Sequence, residues 1–124
     1  MITPYDNELK EASERLKIVC NKKDYPAIRT ELDHLHVLYI NVELSYAHAV
    51  SGVEKVLNKE GISKDAKPML EFLLSDLKKD EEKIGEGLKE IINKQNEYSF
   101  LERNLTKMKL QLLMISFTNS HIMN

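Results

Sequence analysis

The longest regular pattern in the chain is a repeat of apolar residues through positions 28–56. Its members follow one another at alternating steps of four and three residues, which is the heptad spacing of a helix that packs lengthwise on a neighbour. The pattern predicts a helix over 26–59, and further apolar residues outside the repeat indicate contact with more than one neighbour. The heptad positions are Ile28, Leu32, Leu35, Tyr39, Val42, Tyr46, Ala49, Val53 and Val56.

A second heptad pattern follows and changes phase near its middle. After Tyr98 the next position of the repeat is Leu101, which is a step of three residues where the heptad spacing requires four. Such a step is either a stammer within one long helix or a break near 96–99. The sequence therefore predicts helices over 66–96 and 98–117 and leaves open whether they are continuous; the last residues, 116–124, are expected to be frayed. The repeat comprises Leu70, Leu74, Leu77, Glu81, Ile84, Leu88, Ile91, Gln95 and Tyr98, then Leu105, Met108, Leu112 and Ile115.

The beginning of the chain predicts a shorter helix over 4–21. Thr3 and the proline that follows it are typical of a helix start, because a hydroxyl oxygen accepts from free amides and proline fits the first helical position. Pro26 lacks an amide proton and separates this helix from the next one. Either Asp24 or Tyr25 is expected to cap the second helix.

A turn over residues 60–66 is predicted before the third helix. Gly61 tolerates the left-handed conformation that follows a helix end, and Ser63 or Asp65 can cap the next start. No repeat, low-complexity tract or linker divides residues 1–124, so we expect a single domain. The predicted fold class is all-α, an antiparallel helical hairpin or bundle of three to four helices, elongated like a coiled coil if the third run does not bend.

Composition narrows the classes of function. The 18 Lys and Arg residues nearly balance 20 Asp and Glu residues, so no strong field attracts nucleic acid. The most apolar run, 110–117, is far shorter than the roughly 20 residues of a membrane span. The polar, acidic start lacks the features of a secretory leader, and Cys20 is the only cysteine, so we expect a cytoplasmic protein in which this thiol is a packing residue.

Candidate chemistry is sparse. Glu31 and His34 have the Glu-x-x-His spacing with which helical bundles hold metal ions, but a second such pair is missing from the sequence. The acidic run 80–82 lacks an enclosed pocket that would separate its pKa values. Phosphate-loop, zinc-protease and nucleophile-elbow motifs are also missing. We therefore expect a protein that is not an enzyme and has no cofactor, with Glu31 and His34 as the only candidate metal ligands.

The end of the chain carries the most prominent surface signal. Apolar residues over 105–117 cover nearly the whole circumference of the predicted helix, so something must bury them. This favours a small adaptor or chaperone that accepts a helix of its client. The alternative is that this segment completes the chain's own bundle or a homodimer. The candidate partner-binding residues here are Leu105, Met108, Leu112 and Ile115.

The layout resembles the FliT-type flagellar export chaperones. The features that carry the resemblance are a short helix, the polar break NKKDYPAI at 21–28, a longer helix, a turn, and LKKDEEKIGEGLKEII at 77–92, and it covers about residues 8–100. Members of that family are small helical cytoplasmic proteins that bind export substrates, and in some a terminal helix masks the binding surface. The resemblance implies a client-facing groove lined by Leu74, Leu77, Ile84, Leu88 and Ile91.

Two other classes of protein fit the same pattern. A toxin or bacteriocin immunity protein is also small and helical, but an inhibitor of a nuclease toxin usually offers an acidic face, whereas here the acids alternate with lysines. A homodimeric coiled-coil assembly protein is the third alternative. Gly85 and Gly87 remain unexplained at this level, since each costs about 1 kcal/mol against alanine inside a helix.

Overall fold

The computed structural model describes residues 1–123, with side chains described through residue 116. This part of the chain contains three α-helices and no strand: α1 (Asp6–Asn21), α2 (Tyr25–Leu57) and α3 (Ala66–Met123). The all-α prediction is confirmed. Residues 116–123 belong to α3, so the expected fraying of residues 116–124 is not found there; Asn124 lies outside the described residues.

Helix α1 begins two residues later than predicted. Two hydrogen bonds from Thr3 to the Asp6 carboxylate hold the start: the Thr3 hydroxyl donates to Asp6 Oδ1 at 2.6 Å, and the Thr3 amide donates to Asp6 Oδ2 at 3.1 Å. These bonds lower the pKa of Asp6, because they favour its charged form. Residues 4 and 5 form a turn instead of the first helical turn.

The structure decides between the candidate caps. Asp24 accepts a hydrogen bond from the Ala27 amide at 3.3 Å, so Asp24 and not Tyr25 caps α2. At the start of α3 the Ser63 hydroxyl oxygen accepts from the Ala66 amide at 3.1 Å. Gly61 has a φ of 84°, the left-handed conformation expected of it.

Helix α3 is continuous across residues 96–99. Of the two alternatives left open for residues 66–117, the structure has the single continuous helix, so three helices and not four are present among the described residues. The physical reason is visible in the sequence: neither proline nor glycine occurs after Gly87, so no residue interrupts the helical hydrogen bonds. At 58 residues, α3 is roughly 87 Å long.

Helices α2 and α3 pair along most of α2. The contacting positions descend along α2 as they ascend along α3: Tyr46 lies in one core cluster with Leu77, and Leu35 lies in another with Ile91. Helix α1 packs against both clusters and contributes the fully buried Ala12. The core thus lies where all three helices meet.

The two neighbouring glycines of α3 have different surroundings. A Cβ atom added at Gly87 would lie 2.7 Å from Cε1 of Tyr39, so the tyrosine ring on α2 occupies the space that a side chain would need. A Cβ atom added at Gly85 would meet no atom within 4 Å. Close packing of α2 on α3 explains Gly87, whereas nothing in the structure explains Gly85.

Helix α3 extends beyond the N-terminal end of α2. Arg29, near the start of α2, forms an ion pair with Glu102 at 2.9 Å. Beyond that point every side chain from residue 103 to residue 116 is exposed. We call residues 1–102 the bundle region and residues 103–116 the C-terminal arm.

Candidate protein-binding site

The C-terminal arm carries four apolar side chains along one line. Their spacing is three, four and three residues, so they form a continuous stripe on a helix. Their exposed fractions lie between 39% and 64%, far above those of the core. The alternative that this segment completes the chain's own bundle does not hold. We call these residues the apolar stripe: Leu105, Met108, Leu112 and Ile115.

The apolar stripe continues the face of α3 that packs on α2. Leu105 and Leu112 follow Ile91 by 14 and 21 residues, so they keep its heptad position. The short heptad step before the arm moves the other two members, Met108 and Ile115, to one side of that line. The stripe therefore extends the packing face of α3 past the part that α2 buries.

The arm is basic. Arg103, Lys107 and Lys109 are its charged residues, and it contains no aspartate or glutamate. The whole chain has a formal net charge of −2, so the remainder is distinctly acidic. Lys109 projects beside the apolar stripe, between the directions of Leu105 and Leu113 around the helix. An approaching surface would therefore meet apolar contact and positive charge together.

The first turn of the arm borders a shallow surface cleft. The end of the connection between α1 and α2 and the first residues of α2, together 23–26, line one side of it, and Leu105, Thr106 and Lys109 line the other. Leu105 is accordingly the least exposed member of the stripe, at 39%. A partner bound along the apolar stripe would therefore meet residues 23–26 at the end of the arm that is nearer to the bundle region.

The groove implied by the family resemblance is largely filled by the chain itself. Leu77 and Ile91 are buried in the two core clusters, and Ile84 packs against the second of them. Leu74 and Leu88 are only half-buried. Leu77 and Ile91 are not accessible to a client in this structure, because their side chains already pack against α2. Their heptad spacing reflects the packing of α3 on α2 within the chain.

The candidate metal ligands do not form a site. Glu31 accepts a hydrogen bond from the Arg15 guanidinium at 3.0 Å, which ties α2 to α1. His34 is exposed. Across the residues that the structure describes, no group of three His, Cys, Asp or Glu side chains could hold a metal ion.

A polar contact between α2 and α3 escaped the sequence analysis. The Gln95 amide group donates to Asp33 Oδ1 at 2.9 Å, and its oxygen lies 2.9 Å from His36 Nδ1. Gln95 is a polar residue in a mostly apolar heptad repeat, and this was the available signal. A polar side chain at such a position fixes the register of two helices, since any slip leaves it without partners.

Two tyrosines with raised pKa values are structural. The Tyr46 hydroxyl donates to the carbonyl of Met1 at 3.2 Å, and its burial, with Asp80 and Asp6 nearby, raises its pKa. Burial and the neighbouring Cys20 raise the pKa of Tyr98. Both hydroxyls therefore stay protonated at neutral pH and serve packing and hydrogen bonding.

Fold and surface together define a small all-helical protein with a basic, apolar terminal arm. Among the described residues, no helix combines the length and the apolar character needed to cross a membrane. Comparison with protein-family models, curated protein sequences and solved structures gave no match.

Proposed function

We propose that this protein is a small, non-enzymatic adaptor or chaperone that binds a partner protein along the C-terminal arm. The observation that carries the proposal is the apolar stripe, whose four side chains are 39% to 64% exposed although each is large enough to belong to a core. Contiguous exposed apolar surface with polar surroundings is typical of protein interaction sites. Burial of that stripe by a partner is the favourable term that drives binding.

The bundle region serves as the support for this arm. We propose an antiparallel three-helix bundle that works in the cytoplasm, with α1 and α2 holding the first half of α3. The FliT-type resemblance supports a role in binding client proteins, but the proposed client surface is the arm and not the groove at 74–91. This choice follows from the burial of Leu77 and Ile91 in the bundle.

The test is affinity capture from an extract of the source cells with three immobilised proteins: the unaltered chain, Leu112→Asp and Val37→Asp. Leu112 is 64% exposed in the arm, and Val37 is 58% exposed on α2, so the two changes cost the folded chain about equally little. We expect a retained partner whose amount falls about tenfold with Leu112→Asp, because burying an unpaired carboxylate opposes binding. Val37→Asp should retain as much as the unaltered chain.

Two results would refute the proposal. One is an unchanged set of retained proteins for Leu112→Asp. The other is a chain that sediments as a dimer and becomes monomeric with Leu112→Asp, since the arm would then be occupied by a second copy in a homodimeric coiled coil. Circular dichroism of each variant verifies that the helices are intact.

A further inference from the structure

We infer that the partner of the C-terminal arm is an acidic amphipathic helix, which pairs with the apolar stripe as the second strand of a short coiled coil. This inference rests on the proposed function and specifies the chemistry of the partner. It is carried by the spacing of the apolar stripe and by the charges beside it.

The spacing selects a helix as the occupant. Leu105, Met108, Leu112 and Ile115 follow heptad steps without interruption. A stripe with this period stays in contact with a second helix over its whole length. An extended strand is a poorer match, because its side chains alternate with a period of two residues and do not follow the heptad spacing. The same spacing in α3 between Leu77 and Ile91 accommodates α2.

The charges select an acidic partner. In a coiled coil the residues that flank the apolar seam face those of the opposite helix and decide which helices pair. In the arm these flanking positions are Asn104, Lys109, Gln111 and Ser116, none of which is acidic. Arg103 and Lys107 add positive charge on the outer side. Glutamates flanking the seam of the partner would lie next to Lys109 and within the positive field of the arm.

A second copy of the chain is a poorer occupant. Within residues 103–116 a second arm would offer Lys109 only the neutral or basic flanking residues of the same sequence, whichever way it ran. The acid just before the arm, Glu102, is already paired with Arg29 in the bundle region. Two arms would therefore leave Lys109 without an acidic partner.

An anionic lipid surface is also a poorer occupant. A helix that lies in a membrane interface gathers its charges on one face and its apolar residues on the other. Here Lys109 lies between Leu105 and Leu113 around the helix, and the exposed Leu110 and Met114 lie on the side of Arg103 and Lys107. Because apolar and charged residues alternate around the helix, the arm has no polar face separate from its apolar one.

The experiment uses the full chain and two synthetic peptide helices as probes. Both peptides carry leucine and isoleucine at the seam positions; one carries glutamate and the other lysine at every flanking position. Binding of each labelled peptide is measured by fluorescence anisotropy. We expect the glutamate peptide to bind about tenfold more tightly than the lysine peptide, with a preference that weakens as salt is added.

A charge exchange provides the decisive variant. The double change Lys107→Glu and Lys109→Glu should reverse the preference, so that the lysine peptide binds more tightly. The matched control, Lys64→Glu and Lys67→Glu, places the same charges near the start of α3 at equally exposed positions and should change neither affinity. Leu112→Asp should abolish binding of both peptides.

Three outcomes overturn the inference. Equal affinity for the two peptides removes the role of charge. A dimer of the chain that the glutamate peptide does not dissociate assigns the arm to a second copy. Tighter binding to vesicles of phosphatidylcholine and phosphatidylserine than to the glutamate peptide assigns it to a lipid surface. If the peptides fail while Leu112→Asp still loses its captured partner, the proposed function stands and only the acidic helix is wrong.

Discussion

The two halves of α3 repeat the same heptad spacing in different environments. In the bundle region Leu77 and Ile91 are 5% and 9% exposed, because α2 and α1 lie against them. In the C-terminal arm Leu112 and Ile115 are 64% and 57% exposed. The spacing is the same, so the difference comes from where α2 begins. A heptad pattern predicts that a helix pairs with another one, but it does not tell whether the partner belongs to the same chain.

The largest expected difference between the two halves is in amide hydrogen exchange. Amides between residues 84 and 95 are covered by packing, whereas those of the arm depend on the hydrogen bonds of an exposed helix, which are marginal in water. We expect the arm to exchange at least on the order of a hundredfold faster than the bundle half, measured by mass spectrometry or NMR. Equal protection in the isolated chain would mean that the arm is already covered, and the comparison would fail.

A pair of leucine truncations gives the next largest effect. Leu35 is 4% exposed and Leu112 is 64% exposed. Leu35→Ala should lower the free energy of unfolding by about 2 to 5 kcal/mol, because it leaves a cavity in the core. Leu112→Ala should change it by less than about 0.5 kcal/mol, because the side chain has no packing to lose. Urea denaturation of both variants measures the difference, and similar losses would place Leu112 in a buried contact.

The glycine pair gives the smallest and most local effect. Gly85→Ala should raise the free energy of unfolding by about 1 kcal/mol, since alanine favours the helix and its Cβ meets open space. Gly87→Ala should lower it by about 1 kcal/mol, because displacing the Tyr39 ring outweighs the same gain in helix propensity.

Thermal unfolding of the two glycine variants, followed by circular dichroism, compares them directly. The control adds Tyr39→Leu to Gly87→Ala, which provides the space that the new methyl group needs. In that background the alanine should be tolerated better than in the unaltered chain. An equal stabilisation by both glycine substitutions would show that α2 does not press on α3 at this point.

Local chemistry made several features predictable from the sequence. Asp24, Gly61 and Ser63 act at helix ends through hydrogen bonds or conformations that involve neighbours within a few residues. The limits of α1 and α2 followed within about two residues for the same reason. The absence of glycine and proline after Gly87 could also have favoured one continuous α3 over a break.

The features that escaped prediction depend on contacts between distant residues. Gly87 is explained only by Tyr39, 48 positions earlier in the chain. Gln95 is explained only by its bonds to Asp33 and His36. The exposure of the apolar stripe depends on how far α3 extends beyond the first residue of α2. That distance can be predicted only if it is known which residues of α2 lie opposite which residues of α3. Periodicity indicates which face of a helix is apolar but not this register.

The continuity of α3 has a mechanical consequence. Because one helix of roughly 87 Å contains both halves, a partner that covers the arm and so stabilises its helix would be held at a set angle and distance relative to α2. A flexible tether would allow any orientation, whereas a continuous helix restricts it. Inserting one residue near position 103 would rotate a partner bound to the C-terminal arm by about 100° relative to the bundle region, while the residues of the apolar stripe stay the same.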